Sequence, residues 1–183
     1  MTIIIHPVGD GDLGVDILSL SREEKGQRKD ESRKHLGELI DAGRAEAVAD
    51  ALLTTSAPGG GADSRFHRTP ISLILRALKD DGGIEGPVRL LLLGSETGME
   101  GSSSDKTSLI LKKAFDMKPV RDLLGERYGF DLIVESIQRG NLCEKECFQA
   151  LGQWMEDVAD DELIVVNGIS GATMMVLSAL GLV

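Results

Sequence analysis

Residues 162–180 read ELIVVNGISGATMMVLSAL. Leu163 to Val166 is a short unbroken run of branched apolar residues, the pattern of a strand buried on both faces. The turn Asn167-Gly168-Ile169-Ser170-Gly171-Ala172-Thr173 follows, rich in small and hydroxylated residues. From about Ala172 to Leu180 the chain is apolar nearly all round, which predicts a buried helix. A buried strand entering a buried helix through a glycine-containing turn is the repeating unit of an α/β protein.

Three earlier segments carry the same strand signal. DLIVESI (131–137) follows Tyr128-Gly129-Phe130, and VRLLLL (88–93) lies between Gly86-Pro87 and Gly94-Ser95. TIIIH (2–6) runs toward the turn Gly9-Asp10-Gly11-Asp12. Helical patterns separate the strands. Leu36, Leu39, Ile40, Ala47, Val48 and Leu52 recur at helical spacing between about Lys29 and Leu53. Pro70 is placed to open a helix carrying Ile71, Leu75 and Leu78, and Ser102-Ser103-Ser104-Asp105 offers N-caps to one carrying Leu109, Ala114 and Phe115. Glu144 to Val158 sets Phe148, Leu151, Trp154 and Met155 on one stripe. The alternation predicts an α/β fold, Rossmann-like and doubly wound, with a mostly parallel sheet and helices on both faces. Residues 1–183 read as a single domain with a long helical crossover at about 20–86. Pro58-Gly59-Gly60-Gly61 lies in a stretch, 56–66, whose composition predicts a flexible loop.

Composition narrows the function. The apolar fraction is ordinary at 42%, but aromatics make up only 3%, so the core must come from Leu, Ile, Val, Ala and Met. A net charge of −10 argues against a surface for long nucleic acid, which rewards a basic stripe. It leaves room for a small anion, because backbone N–H groups at a helix start hold phosphate whatever the global charge. Cys143 and Cys147 sit four apart in a polar helical stretch, a poor geometry for a disulfide, and read as reduced thiols. Met1 leads into a short apolar run that meets His6-Pro7, unlike a secretory leader, and no stretch approaches the roughly 18 apolar residues of a membrane span. A cytoplasmic location is the expectation.

Ligands of open parallel sheets bind outside the carboxyl ends of the strands. That rule selects the loops at 8–14, 94–105 and 167–173. The first holds a formal G-x-G-x-x-G in Gly9, Gly11 and Gly14, yet a long charged stretch follows where a dinucleotide site needs an immediate helix and a second strand ending in an acid. A strand-end turn fits it better than a nicotinamide site. The third loop suits an anion: small residues let a ligand approach the backbone, and Ser170 and Thr173 add hydroxyl donors beside a helix start. A tight packing turn would need the same small residues. Gly168 stands two before Ser170, as in a nucleophile elbow, but Ala172 occupies the second glycine position. The second loop offers Ser95, Glu96 and Thr97, with Lys106 at the start of the next helix as a phosphate partner or a solvated lysine. His6, His35 and His67 have no metal-site spacing, and no metal or cofactor is expected; His6, at a strand end, suits a hydrogen-bonded structural role.

IIIHPVGDGD, VRLLLLGSETG, and DLIVESIQRGN followed by ELIVVNGISGATMMVLSAL together resemble the strands and strand ends of the CARF (CRISPR-associated Rossmann fold) domains. The resemblance covers most of the chain, with a first crossover longer than usual. It implies a homodimer that binds a cyclic oligoadenylate across its two-fold axis, as a sensor in type III CRISPR antiviral defence. It implies ligand contacts at Gly9, Asp10, Gly11 and Asp12, at Ser95, Glu96 and Thr97, and at Asn167, Gly168, Ile169, Ser170, Gly171, Ala172 and Thr173. It also implies a fused or separate effector that the ligand switches. Two readings stand beside it. One is a metal-independent ring nuclease, for which Ser170, Thr173 and Lys106 are the candidate catalytic residues; the other is a different nucleotide-binding Rossmann enzyme. An assembly module without a ligand is a further option. The chain departs from many relatives in carrying Met174 and Met175 where a basic residue stands, and in placing Asp10, Asp12 and Glu96 in the pocket loops.

Overall fold

The computed structural model describes residues 1–13, 22–53, 69–82, 86–95, 104–139, 144–158 and 162–168. Strands β1 (Thr2–Pro7), β2 (Val88–Ser95), β3 (Leu132–Arg139) and β4 (Leu163–Val166) form one sheet in the order β3-β2-β1-β4. Every pairing is parallel, with Ile4 standing between Leu90 and Val165. The protein is an α/β domain of Rossmann-like architecture.

The pleat explains why the strands are apolar throughout. Ile4, Leu90, Leu92 and Leu132 face a large core built with helices α1 (Arg22–Asp41), α2 (Ala45–Leu53), α3 (Pro70–Asp81), α4 (Ser104–Asp116) and α5 (Lys118–Tyr128). Ile3, Ile5, Leu91 and Leu93 face the other way, against Leu151, Trp154 and Met155 of α6 (Glu144–Met155). Each residue of β1 is buried because alternate side chains have a layer to enter on both sides.

Local chemistry sets the element ends. Thr69 caps α3: its Oγ1 accepts from Ser72 N at 3.1 Å and donates to Leu52 O at 2.6 Å, which fixes the end of α2 to the start of α3. Pro70 takes the first helical position and Gly82, left-handed at φ 65°, closes the helix. The helical pattern over 29–53 is not one helix. It breaks at Ala42-Gly43-Arg44, where Gly43 adopts φ 66°, and α1 and α2 pack as a hairpin. Helix α5 has no counterpart among the expected elements. It buries only Val120 and Leu124, so its apolar periodicity is too sparse to register, and Pro119 in its first turn restarts the chain after α4. The strands β1, β2 and β3 run one or two residues beyond their apolar runs, to Pro7, Ser95 and Arg139, because ladder hydrogen bonds continue where hydrophobicity stops. The final helix expected at about 172–180 and the loop at 56–66 lie outside the described residues.

A polar latch fastens α6 to the sheet. Arg89 Nε and Nη2 donate to the two carboxylate oxygens of Glu135 at 2.7 and 3.2 Å, and Trp154 Nε1 donates to Glu135 Oε2 at 2.7 Å. The Arg89 guanidinium also lies 4.7 Å from the Trp154 ring centroid, a cation–π contact. The hydrogen bonds from Arg89 chiefly, then that from Trp154, hold the Glu135 carboxyl below the usual carboxylate range against the opposing effect of burial.

Two outcomes follow from this packing. A depressed folded-state pKa contributes stability that is present above the unfolded value, about 4.3 for Glu, and lost as pH falls through the folded one. Glu135→Gln should therefore lower the urea midpoint at neutral pH, with the gap to wild type narrowing in acid; a gap independent of pH would contradict the latch. Gly125 has no room for a side chain, since a Cβ there would lie 2.8 Å from the Phe130 carbonyl oxygen. Gly125→Ala should cost about 1–3 kcal/mol through overpacking, read as a lower Tm in thermal unfolding.

Candidate functional site

Strands β1, β2 and β3 succeed one another in one direction across the sheet, while β4 returns to the far side of β1. The helices joining the first three contribute to the core on one face, and α6, which leads to β4, contributes to the other. The winding therefore reverses between β1 and β4. At such a point the connections diverge and leave a crevice at the carboxyl ends of the strands.

At the carboxyl ends of β1 and β4 lies a buried polar network. His6 Nε2 lies 3.0 Å from Asp12 Oδ1, and Asp12 Oδ2 accepts from Gly9 N at 2.8 Å. On the other side of the ring, Asn167 Nδ2 lies 2.8 Å from His6 Nδ1 and 3.2 Å from the carbonyl oxygen of Pro70. His6 is fully buried, and Asp12 and Asn167 are each 1% exposed. The Pro70 carbonyl only accepts, so it fixes which end of the Asn167 amide faces inward. The amide then donates to Nδ1, and His6 must carry its hydrogen on Nε2, where Asp12 takes it. One chain of hydrogen bonds thus joins the end of β1, the 3₁₀ turn at Asp10–Leu13, the start of α3 and the end of β4.

Backbone bonds carry the ladder up to this network. Val8 N donates to Leu93 O at 2.8 Å and Asn167 N to Ile5 O at 2.9 Å. The turn after β1 closes on itself, with Asp12 N donating to Gly9 O at 3.1 Å while the Asp12 carboxylate answers Gly9 N. Gly11 lies against α3, since a Cβ there would stand 3.3 Å from Pro70 Cγ. A side chain at this position would crowd Pro70.

The expected site residues separate into groups. Gly9 to Asp12 and Asn167 to Gly168 meet at adjacent strand ends, and Ser95 terminates β2, the other neighbour of β1. Asp12 is turned inward and both of its oxygens hold protein hydrogens, so this acid does not confront a ligand. Asn167 likewise acts from beneath, while Gly168 is exposed. Lys106 is exposed in the first turn of α4. Glu96, Thr97, Ile169, Ser170, Gly171, Ala172 and Thr173 lie outside the described residues. His6 has the hydrogen-bonded structural role expected of it. With both ring nitrogens bonded and the ring buried, it has neither a proton nor a lone pair to share with a serine nucleophile. Among the described residues, no group of three or more His, Cys, Asp and Glu could hold a metal ion, and no helix is long and apolar enough to cross a membrane.

Sequence reasoning missed the part played by Pro70 and Thr69, and the pairing of His6 with Asp12. Pro70 was legible as a helix start, but its carbonyl meets Asn167 from 97 positions away. An open groove of about 990 Å³ lies beside β3 and α5 near Lys118, Arg121, Glu126 and Phe130. It also takes in Gly86 and Asp131, which precede β2 and β3, and so sits at the amino edge of the sheet, away from the reversal. Its mixed charges and openness give no reason to prefer it.

No family model, curated protein or solved structure matches the chain.

Asn167→Ala would leave His6 Nδ1 and one bond of the Pro70 carbonyl unanswered in a dry interior. Such a loss costs about 1–3 kcal/mol. Urea unfolding should show it, and amide exchange at Gly9 and Asp12 should quicken along with it; unchanged exchange would mean that the network does not hold the turn.

Proposed function

We propose that this domain binds a cyclic oligoadenylate at the carboxyl edge of its sheet and acts as a sensor that switches an effector. The observation that carries the reading is the hydrogen-bonded network of His6, Asp12 and Asn167 at the winding reversal. A fully satisfied buried network is rigid and tolerates few alternative arrangements. Here it sets the positions of two loop starts, Gly9 to Asp12 and Asn167 to Gly168, in the crevice where α/β sheets take nucleotides.

The chemistry of those loops supports an anionic ligand. Small residues let an anion approach backbone N–H groups, and Gly168 at the end of β4 is exposed. The inward turn of Asp12 removes one of the three acids that would repel phosphate. The resemblance of the strand ends to CARF domains selects cyclic oligoadenylate within the nucleotide class, and with it a homodimer in which the ligand lies on the two-fold axis. Binding rather than turnover is the role proposed, because the buried histidine of the network is fully engaged.

Isothermal titration with cyclic tri-, tetra- and hexa-adenylate tests the reading directly. One ring should bind per two chains, and chromatography of the recovered ligand should return it intact. Linear adenylates would convert the sensor into a ring nuclease. Stabilisation by NAD with no response to any ring would replace the reading with a different nucleotide-binding enzyme.

A further inference from the structure

Strand β3 ends the row of strands. It pairs with β2 on one side, and among the described residues no strand lies on the other. Val88 N donates to Asp131 O at 2.7 Å, and Val88 stands in register with Leu132. The parallel pattern then turns the N–H and C=O groups of Ile133, Glu135 and Ile137 toward β2. Those of Leu132, Val134, Ser136 and Gln138 point the other way, along the outer edge.

An edge of eight residues is a template for another strand, and proteins that keep such an edge single place proline, lysine or a bulge on it. LIVESIQR (132–139) contains neither proline nor lysine, and its register with β2 runs without a bulge from Leu132 to Arg139. The acid in mid-strand, Glu135, is engaged by Arg89 and Trp154 of its own chain. Ile133, on the same face of the strand, is 45% exposed.

The groove of about 990 Å³ follows this edge. Asp131 to Val134 form one side of it, and one face of α5, with Lys118, Arg121, Asp122, Gly125 and Glu126 at helical spacing, forms the other. Space bounded by a strand edge and a helix face is what an added strand occupies.

Charge selects a second copy of β3 as the strand that fits. Two such strands about a two-fold axis normal to the sheet run antiparallel, with outward residues facing outward residues. Centred on Glu135, the pairing sets Val134 opposite Ser136, Ile133 opposite Ile137 and Asp131 opposite Arg139. Moving the centre to Val134 or Ser136 loses both of the last two pairs and sets Glu135 against an isoleucine. The central Glu135 pair is the weak point of the chosen register, and Arg89 answers each carboxylate within its own chain. Helix α5 is self-complementary about the same axis. It leads into β3 through Gly129-Phe130 and so runs opposite to it, with Lys118 and Arg121 near its start and Glu126 near its end on the groove face. The basic end of one α5 thus approaches the acidic end of the other. Among the described residues, neither Glu126 nor Asp131 has an ion pair of its own.

We propose that β3 pairs antiparallel with β3 of a second copy of this chain, so that the four-stranded sheet continues across a two-fold axis at Glu135. The pairing is independent of the nucleotide reading, because β2 separates β3 from the winding reversal at β1 and β4. A ring shared at the carboxyl edge would need a two-fold axis of its own, and the test is therefore made without nucleotide.

Sedimentation velocity of the full chain over a concentration series should show a monomer–dimer equilibrium. Asp131→Arg and Arg139→Asp each set like charges opposite one another twice per dimer, and each should raise the dimer Kd about tenfold. The double variant, which exchanges the two charges, should return it to within about threefold of wild type. Circular dichroism checks that every variant is folded. Amide exchange adds a readout that contact through another surface would not move. The N–H groups of Val134 and Ser136 should be protected in the dimer and exchange freely in dilute Asp131→Arg, while those of Ile133 and Glu135, bonded to β2, stay protected in both. A wild type that remains monomeric at its highest soluble concentration would overturn the pairing. So would a dimer unaffected by either single reversal, or one in which Val134 and Ser136 exchange freely. Failure of the double variant to recover would overturn the register centred on Glu135.

Discussion

A histidine, an aspartate and an asparagine buried together must satisfy one another or unfold the place where they meet. Every hydrogen-bonding group that enters a dry interior loses water, and recovers that loss only through partners at good geometry. In this protein the requirement falls at the reversal of sheet winding, with His6 bonded on both sides, Asp12 on both oxygens and Asn167 held by the Pro70 carbonyl. The carboxyl edge is therefore not a set of independent loops. The turn after β1, the start of α3 and the end of β4 can adopt only mutually compatible positions.

The consequence for chemistry is a division of labour. Polar side chains that sequence inspection would point outward, Asp12 and Asn167, lie buried and fix the backbone. Sites that recognise anions by N–H groups depend on such preorganisation, because a flexible turn would have to be ordered again at each binding event. The His6 imidazole is engaged at both ring nitrogens.

The two faces of the sheet are secured differently. One carries a thick layer in which α1–α5 share a single aliphatic core. On the other, the described part of α6 joins the sheet through fewer apolar contacts and the Arg89–Glu135–Trp154 latch. An ion pair that is partly exposed adds little by itself, but the indole over the guanidinium and the shared carboxylate give it direction. The cluster ties α6 to β2 and β3.

The sequence by itself determined the fold class. Four apolar runs of strand length, separated by helical periodicity, admit few arrangements other than a covered parallel sheet. It also determined where α3 begins, because Pro70 acts through local backbone geometry that suits a first helical turn. Helix α5 escaped because two buried residues do not make a period, and the break at Gly43 escaped because the apolar spacing carries on through the turn. Only the tertiary structure decided the polar network at the carboxyl edge. His6 and Asp12 are six apart, while Asn167 stands 161 positions from His6 and 97 from Pro70. Hydrogen bonds of that span leave no periodic trace, so whether an acid such as Asp12 faces a ligand or a histidine depends on the packing of distant segments. Local preference writes the elements; long-range burial assigns the roles.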